Sequence, residues 1–412
     1  MVSPVATECQ NTTSLFGQLA EKIPKTEEVD VQDLTELLNK KLISQDQDQS
    51  SASSPQSLSS SSSTSIASLQ SDAMVSFVTK DLCCPTPEVC APVLSRFVSH
   101  FDEKLRYHYR DPALDRFLEH GQFGFARKVH GYVCASKKIL MVLPAFPCKS
   151  PNPRTKVLGE LPDRTEEIAI AKMNTFCTEV AEYYAPGAEL TIVSDGRVFA
   201  DLVGVPDHLV TEYNDFLQNV MFKNRPRHIV YRSLDDHLTN GEVQEIHQAS
   251  EHDQRRAGLM EAFKNEKEGN SMVKVGFVRY LMEDRIWPET MSKSQIKKVC
   301  RETADRMIQR NVAFSRLCEH YYPDHVRLSI HAYDSSGPKY PVQIAPNHGG
   351  PTPWHSVAVE LANGETWFVK RSVADSLVSQ GHLELYNHPE FQRPWAYRQI
   401  TNDILDMKKI VA

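Results

Sequence analysis

Two apolar segments that run into polar loops, with a helix between them, constrain the fold of this chain most strongly. The first segment, KKILMVLPAF (137–146), is predicted to be a buried strand that ends in a proline-rich loop. A helix from about Asp163 to Tyr184 follows, and a DxxE arrangement of the capping-box type marks its start. The second segment, LTIVSDG (190–196), is predicted to be another buried strand. This alternation favours a mostly parallel sheet with helices on both faces.

The remainder of the chain continues the mixture of helices and strands. Apolar periodicity predicts helices over about 88–105, 243–267 and 292–321, the last as one helix or two. Residues 273–284 fit a strand or the start of a helix. Further strands are predicted at VRLSIHAY (326–333), SVAVEL (356–361) and TWFVK (366–370), with Asn363-Gly364 as a hairpin turn. The expected fold is therefore a mostly parallel, Rossmann-like α/β sheet flanked by helices, with an additional helical segment and a C-terminal antiparallel hairpin.

A serine-dominated tract over 45–72 separates the amino terminus from the rest of the chain. It contains no aromatic residue and cannot bury enough surface to order itself. Before this tract, four apolar residues recur at helical spacing: Val31, Leu34, Leu38 and Leu42. A helix at 31–43 could dock on the main domain or on a partner. The alternative is a transient helix, because short isolated helices are only marginally stable. We predict a disordered arm over 1–74 and an ordered domain over 75–412.

Composition excludes several classes of function. The 412 residues, of which 41% are hydrophobic and 24% charged, provide material for one large core or two smaller ones. No apolar run approaches the roughly 18 residues of a membrane span, and the polar amino terminus is unlike a signal peptide, so we expect a cytoplasmic protein. The net charge of -7 disfavours nucleic-acid binding but permits one phosphorylated ligand. Scattered cysteines without metal-binding spacing predict free thiols and no metal.

The loop after the first strand, PAFPCKSPNPRTKVLGELPD (144–163), is the first candidate ligand site. In open parallel sheets, ligands bind beyond the carboxyl ends of the strands. Prolines stiffen this loop, and its polar side chains suit a phosphate or carboxylate: Lys149, Ser150, Asn152, Arg154 and Lys156. The alternative is a surface loop with solvated lysines. A nucleophilic Cys148 is disfavoured, because no histidine partner is adjacent.

Two further regions carry polar residues where strands end. Ser194, Asp195 and Gly196 place a carboxylate at the end of the second strand beside a glycine that permits close approach, although this is also an ordinary turn. Arg327, Ser329 and His331 alternate along VRLSIHAY and therefore share one face of a strand. The segment HGGPTPWHS (348–356) adds His355, which is either a proton carrier or an ordinary hydrogen-bonded histidine.

These blocks resemble the pyoverdine/dityrosine biosynthesis family, which comprises the isocyanide synthases and the related fungal spore-wall enzyme. The resemblance rests on four blocks between about residues 90 and 375: LPAFPCKSPNPRTKVLGELPDRTEEIAI, YYAPGAELTIVSDGRVFADLVGVPDHLVTEYN, VRLSIHA and TPWHSV. Within this family, the chain resembles the fungal single-domain, xanthocillin-like type. We expect a single catalytic domain, without the iron- and 2-oxoglutarate-dependent dioxygenase domain that some relatives carry.

The resemblance implies a reaction of secondary metabolism. The α-amino group of an amino acid, with tyrosine as the first expectation, gains one carbon from ribulose 5-phosphate and becomes an isocyanide, which makes the enzyme a carbon–carbon lyase. No metal or organic cofactor is implied. Two alternatives remain: an N-formyl amino acid as the product, as in the spore-wall branch, or a non-catalytic scaffold that binds a pathway partner through residues 31–43.

The resemblance also assigns site residues. The expected catalytic residues are Lys149, Lys156, Asp195 and His355. The expected substrate-binding residues are Ser150, Asn152, Asp163, Glu166, Ser194, Gly196, Arg327 and His331, together with Arg154, which the cationic character of the loop adds. Within this set we infer that Lys149 or Lys156 acts as an acid or base or holds the phosphate, and that Asp195 and His355 move protons.

Overall fold

The computed structural model describes residues 87–109, 111, 113, 115–223, 227–233, 236–237, 269–331, 338–347 and 349–411. The arm over 1–74, its helix at 31–43 and the predicted helix at 243–267 lie outside these residues, so they stay predictions. Among the helices within these ranges, none combines the length and the hydropathy that a bilayer crossing requires.

A parallel sheet of five strands forms the centre of the described fold. Its strands are β1 (Ile139–Pro144), β2 (Ala188–Ser194), β3 (Ile229–Ser233), β4 (Val326–Ser329) and β5 (Tyr340–Pro341). The order is β3-β2-β1-β4-β5, and every neighbouring pair is parallel. The chain fills one side of β1 first and then the other, so the strand order reverses between β1 and β4. The predicted Rossmann-like sheet is confirmed.

Helices pack against this sheet, against one another or, for the last two, against a second sheet described below. They are α1 (Pro87–Lys104), α2 (Gln122–Cys134), α3 (Arg164–Tyr183), α4 (Gly196–Val203), α5 (Asp207–Phe216), α6 (Gly269–Asp284), α7 (Lys293–Tyr321), α8 (Arg371–Ser379) and α9 (Met407–Ile410). Short π-helical turns occupy Phe117–Gly121 and Leu217–Phe222, and a 3-10 turn occupies Pro353–His355. The segment that fitted a strand or a helix is therefore helical, and the long C-terminal helix is one element of 29 residues.

The capping box predicted at the start of α3 is present. Asp163 is the N-cap residue, and its side chain accepts a hydrogen bond from the backbone N–H of Thr165. The side chain of Glu166 accepts one from the backbone N–H of Asp163 in return. These bonds satisfy amide groups that the first helical turn leaves without partners, which fixes where the loop after β1 ends.

Aromatic side chains join α1, α2 and α3 into one buried layer. The rings of Phe101 and Phe125 stack with centroids 4.3 Å apart, and Phe97 meets Phe176 edge-on at 5.9 Å. All four side chains are buried within the main hydrophobic core, together with residues of β1 and β2. Aromatic pairs of this geometry add about 0.5–1.5 kcal/mol beyond the burial of their surface. This layer gives the sheet a rigid support.

A buried arginine holds α7 against α4. The guanidinium of Arg310 donates a hydrogen bond to the backbone oxygen of Val198 at 3.0 Å and pairs with both carboxylate oxygens of Asp201. Bidentate pairs of this kind restrict orientation as well as distance. The middle of α7 is thereby fixed beside the end of β2.

A second sheet of four strands follows in the C-terminal part. Its strands are β6 (Val357–Glu360), β7 (Thr366–Val369), β8 (Leu383–Asn387) and β9 (Pro394–Gln399), in the order β7-β6-β9-β8. The predicted antiparallel hairpin of β6 and β7 is confirmed. Strands β8 and β9 were not predicted. Strand β3 was not predicted either. Its residues Ile229, Tyr231 and Ser233 are buried, but Arg232 and the basic residues just before the strand made the segment look polar.

Gly196 brings the loop after β1 against the start of α4. A Cβ atom at this position would lie 2.1 Å from the backbone oxygen of Pro147 and 2.8 Å from Cγ1 of Val210. Both distances are shorter than non-bonded atoms tolerate, so only glycine fits without displacing the backbone. The first two candidate regions are therefore packed directly against each other.

We expect Gly196→Ala to lower the free energy of unfolding by about 1–3 kcal/mol, because the added methyl group overpacks a backbone contact. Chemical denaturation measures this change. Gly131→Ala is the matched control: an added Cβ at this α2 position meets nothing within 4 Å, so it should instead stabilise by about 0.5–1 kcal/mol. Equal effects of the two substitutions would contradict the close approach.

Candidate active site

A cavity of about 970 Å³ lies at the carboxyl ends of β1, β2 and β4. Its wall combines the loop after β1 with the start of α4, the end of α6, the middle of α7 and the 3-10 turn. Six residues predicted from the sequence line it: Lys149, Ser150, Lys156, Asp195, His331 and His355. Ligands of open α/β folds bind at this edge, near the point where the strand order reverses. The cavity is therefore the candidate active site.

The amine of Lys149 lies in a buried ionic cluster beside the cavity. Its Nζ atom is 2.9 Å from Oδ2 of Asp163 and 2.8 Å from Oε2 of Glu166. It also donates hydrogen bonds to Oγ1 of Thr165 at 3.1 Å and to the backbone oxygen of Pro353 at 3.2 Å. The three ionic side chains are at most 1% exposed. Lys149 thus connects the loop after β1 with the start of α3 and the 3-10 turn.

Burial and the charge of Lys149 have opposite effects on the pKa of Glu166. Burial raises the pKa of Glu166, and the positive charge of Lys149 opposes that shift. The phenol of Tyr213 donates a hydrogen bond to Oε1 of Glu166 at 3.1 Å and so satisfies its second oxygen. One ammonium group faces two carboxyl groups here, and its positive charge favours the ionised form of Glu166.

A second ionic cluster, formed by Lys156, Asp284 and His355, faces the cavity directly. The Nζ atom of Lys156 lies 2.7 Å from Oδ1 of Asp284, and Nε2 of His355 lies 3.5 Å from Oδ2 of the same carboxylate. Nδ1 of His355 is 2.8 Å from the hydroxyl of Thr352, which fixes the ring orientation. One fully buried carboxylate therefore positions an amine and an imidazole on the same wall.

The charges around Asp284 keep it ionised. Burial alone would raise the pKa of this carboxyl group, but His355 and Lys156 hold it well below the usual value. Tyr280, one helical turn earlier on α6, packs its ring against that of His355 with centroids 5.1 Å apart. Burial and then the adjacent Asp284 raise the pKa of the Tyr280 phenol well above its usual value, so the phenol stays protonated.

Asp195 faces the same cavity with different properties. Its Oδ1 atom is buried and accepts no hydrogen bond from the residues that the structure describes. Burial raises the pKa of Asp195 to about 7, although a backbone hydrogen bond and the charge of Arg327 offset part of the shift. The imidazole of His331 faces the cavity as well, and enclosure by protein, followed by the charge of Lys339, lowers its pKa to about 4. At neutral pH Asp195 can gain or lose a proton, whereas His331 is neutral.

The remaining predicted residues lie behind or beside the cavity wall: Asn152, Arg154, Asp163, Glu166, Ser194, Gly196 and Arg327. The hydroxyl of Ser194 is buried, 3.1 Å from Oδ1 of Asn214. The amide of Asn152 donates a hydrogen bond to the backbone oxygen of Glu283 at 2.9 Å and joins the loop to the end of α6. Arg154 is exposed. The contacts of Ser194 and Asn152 support the wall.

Sequence reasoning missed the contribution of α6. Tyr280, Glu283 and Asp284 all line the cavity, but their segment fitted a strand as well as a helix, so no face was assigned to them. On a helix, Tyr280 and Asp284 are four residues apart and share one face. This spacing of a phenol and a carboxylate in YLMED was the signal that could have identified them.

Neither a thiol nor a metal cluster adds to this chemistry in the described ranges. Burial raises the pKa of the Cys148 thiol, so the reactive thiolate is disfavoured. Within the described ranges, no three His, Cys, Asp or Glu side chains form a group suited to a metal ion.

We expect Lys149→Met to lower the free energy of unfolding by about 3–5 kcal/mol, because Asp163 and Glu166 would remain buried without a counter-ion. The loss should be larger at pH 8 than at pH 5. Burial already raises the pKa of Glu166, the loss of Lys149 would raise it further, and a group whose pKa is higher in the folded state destabilises the fold as pH rises between its unfolded and folded values. Urea denaturation at both pH values measures this. The exposed Arg154→Ala is the control and should change stability by less than about 0.5 kcal/mol. A pH-independent loss in Lys149→Met would contradict this assignment.

Comparisons with known proteins show which family the chain resembles. The sequence profile of a family described as "Pyoverdine/dityrosine biosynthesis protein" matches residues 129–380. The chain is 32% identical over 298 residues to an L-tyrosine isonitrile synthase from Xenorhabdus nematophila, which covers 68% of this chain and 86% of that protein. It is 36% identical over 255 residues to an L-tryptophan isonitrile synthase from Fischerella ambigua, which covers 61% of this chain and 76% of that protein.

The fold is also similar to a solved structure. The crystal structure of the PvcA protein from Pseudomonas aeruginosa matches with a TM-score of 0.65 and 28% sequence identity, over 74% of this chain and 99% of that chain. The profile match spans more than half of the 412 residues. On the grounds of this profile match and of the relatives named above, the chain belongs to the pyoverdine/dityrosine biosynthesis family.

Proposed function

We propose that the protein is an isocyanide synthase. In this proposal, the α-amino group of an L-amino acid takes one carbon from ribulose 5-phosphate and becomes an isocyanide, without a metal or organic cofactor. The two relatives named above are isonitrile synthases that act on tyrosine and on tryptophan, which supports isocyanide formation from an amino acid. Both substrates would enter the cavity at the carboxyl edge of the parallel sheet.

The observation that carries the proposal is the pairing of two unlike carboxyl groups in one cavity. Asp195 has a pKa of about 7, whereas the pKa of Asp284 is held well below its usual value by His355 and Lys156, which outweigh the effect of burial. Environments that separate the pKa values of two acids assign them different roles. Asp195 can exchange a proton at neutral pH, and Asp284 remains a fixed negative charge that orients its partners.

The first step requires proton transfers that Asp195 can perform. The amine must lose a proton before it attacks the ketone carbonyl of the sugar, and the resulting adduct must lose its hydroxyl group as water. A carboxyl group with a pKa near neutrality can accept the first proton and return one to the departing hydroxyl. We therefore assign Asp195 as the general base and then the general acid of the condensation.

Later steps need electrostatic help from Lys156 and His355. The former ketone carbon must lose its bonds to both neighbouring carbons: one fragment leaves as an aldehyde and its electron pair stays on the carbon that becomes the isocyanide, and the other fragment leaves with its electron pair and takes up a proton. Negative charge develops as each bond breaks. Lys156 and His355, which Asp284 holds in place, face the cavity where they can neutralise such charge. The Nζ atom of Lys149 is enclosed by acceptors of Asp163, Glu166, Thr165 and Pro353, all within 3.2 Å, so we assign Lys149 to support of the wall.

The amino-acid side chain would lie against the apolar part of the cavity. This part is formed by Phe199, Val203, Phe277, Met307 and Ile330. Tyrosine remains our first expectation. Apolar and aromatic walls bind such side chains mainly through burial, so a few substitutions among these five residues can change the preferred amino acid.

A substrate panel tests the proposal directly. Purified protein is incubated with ribulose 5-phosphate and with tyrosine, tryptophan, valine or leucine, and isocyanides are trapped with a tetrazine. We expect an adduct with at least one amino acid, and only when ribulose 5-phosphate is present. If no amino acid yields an adduct, the proposal fails. An N-formyl product, which contains one more water than the isocyanide, would instead indicate the spore-wall type of reaction.

The role of Asp195 predicts a pH profile. The rate should rise with pH through a midpoint of about 7, because the base must be ionised and burial holds the pKa of Asp195 there. Asp195→Asn should lower kcat by about 10²–10⁴-fold, the usual contribution of a general base, and remove this limb from the residual rate. Initial rates between pH 5 and pH 9 measure both effects. Persistence of the limb at the same midpoint in Asp195→Asn would contradict the assignment.

A further inference from the structure

Three cationic side chains line one edge of the cavity around Glu283, of which Arg279 and Lys370 are exposed and Lys156 is buried. Lys156 belongs to the loop after β1, Arg279 to the last turns of α6, and Lys370 to the segment between β7 and α8. All three line the cavity, and we call them the edge cluster. They surround the carboxylate of Glu283, whose Oε2 atom is 2.7 Å from Nζ of Lys370 and 3.9 Å from Nζ of Lys156.

Arg279 has hydrogen-bonding capacity to spare. Its guanidinium carries five N–H donors, yet it forms no hydrogen bond or ion pair with a residue that the structure describes. Arg279 is nevertheless close to the other charges. The hydrogen bond from Lys370 lowers the pKa of Glu283, and the positive charge of Arg279 adds to this effect. An arginine on a cavity wall with unused donors is suited to a planar or tetrahedral anion.

The charge balance at this edge favours an anion as well. The edge cluster contributes three positive charges, against the two carboxylates of Glu283 and Asp284. The rest of the wall offers two other fixed cations: Lys149, which Asp163 and Glu166 already pair, and Arg116, which lies in the segment before α2. A doubly charged phosphate therefore finds its best partners at this edge, whereas the reacting carbonyl group belongs near Asp195.

We propose that the edge cluster binds the phosphate group of the sugar-phosphate substrate, with Arg279 and Lys370 as its principal partners. This inference rests on the proposed function and identifies where that substrate is held. Lys370, about half exposed, would turn part of its hydrogen bonding from Glu283 to the phosphate. Lys156 would keep its ion pair with Asp284 and attract the phosphate through its charge, without a direct hydrogen bond.

Steady-state kinetics test the site through a single substrate. Arg279→Ala and Lys370→Ala should each raise KM for ribulose 5-phosphate by about tenfold or more, since each removes a charge-assisted hydrogen bond. KM for the amino acid should change by less than about twofold, because its binding does not use these groups. The control is Arg301→Ala, which removes an exposed guanidinium of α7 that does not line the cavity and should change neither KM.

Arg116→Ala distinguishes this site from another edge of the same cavity. Arg116 also lines the cavity, from the segment before α2, and is exposed. We expect its replacement to leave KM for ribulose 5-phosphate within about twofold of the wild type. A rise of KM in Arg116→Ala but not in Arg279→Ala or Lys370→Ala would overturn the proposal, as would equal rises of both KM values in the edge-cluster variants.

Binding of inorganic phosphate separates this inference from the proposed reaction. Calorimetric titration should detect phosphate binding to the wild type and to Arg301→Ala, and at least about tenfold weaker binding to Arg279→Ala/Lys370→Ala. This pattern without isocyanide formation would support the anion site and refute the synthase. Isocyanide formation with phosphate binding that is unchanged by the double substitution would support the synthase and refute the site.

Discussion

The ammonium group of Lys149, buried between Asp163 and Glu166, is the interaction on which the geometry of the site depends. Removing three ionisable groups from water is costly, and only close contacts with opposite charges and hydrogen bonds offset that cost. Lys149 supplies such contacts to the start of α3 and to the 3-10 turn at once. The 3-10 turn contains His355, so the same cluster that fixes the loop after β1 also fixes His355 in the cavity wall.

Two lysines of one loop thus have unlike environments. Lys149 is enclosed by carboxyl groups and hydrogen-bond acceptors, whereas Lys156 shares its carboxylate with a histidine and faces the cavity. Burial outweighs the opposing effects at Asp195 and raises its pKa to about 7, while nearby positive charge keeps Asp284 ionised despite its burial. Both residues are aspartates, but their neighbours differ. Asp195 can therefore exchange a proton, whereas Asp284 stays charged and orients two cations.

Features that depend on a few consecutive residues could be predicted from the sequence. The DxxE pattern specified the start of α3, and Asn363-Gly364 specified the hairpin of β6 and β7. The partners of Lys149 and Lys156 could not be predicted in this way: Pro353 and Asp284 lie more than a hundred residues away from the lysines that they contact. The resemblance assigned all the ionic residues of the loop after β1 to one site. Only the three-dimensional contacts distinguish those that line the cavity from those that support it.

The central claim is that the cavity joins an amine to the ketone carbon of a sugar phosphate and retains that carbon in the product. Ribulose 5-phosphate labelled with carbon-13 at its ketone carbon tests this claim most directly, with mass spectrometry of the trapped isocyanide. We expect the isocyanide to be one mass unit heavier than the product from unlabelled sugar. An isocyanide without the label would contradict the proposed chemistry, because its carbon would then come from another source.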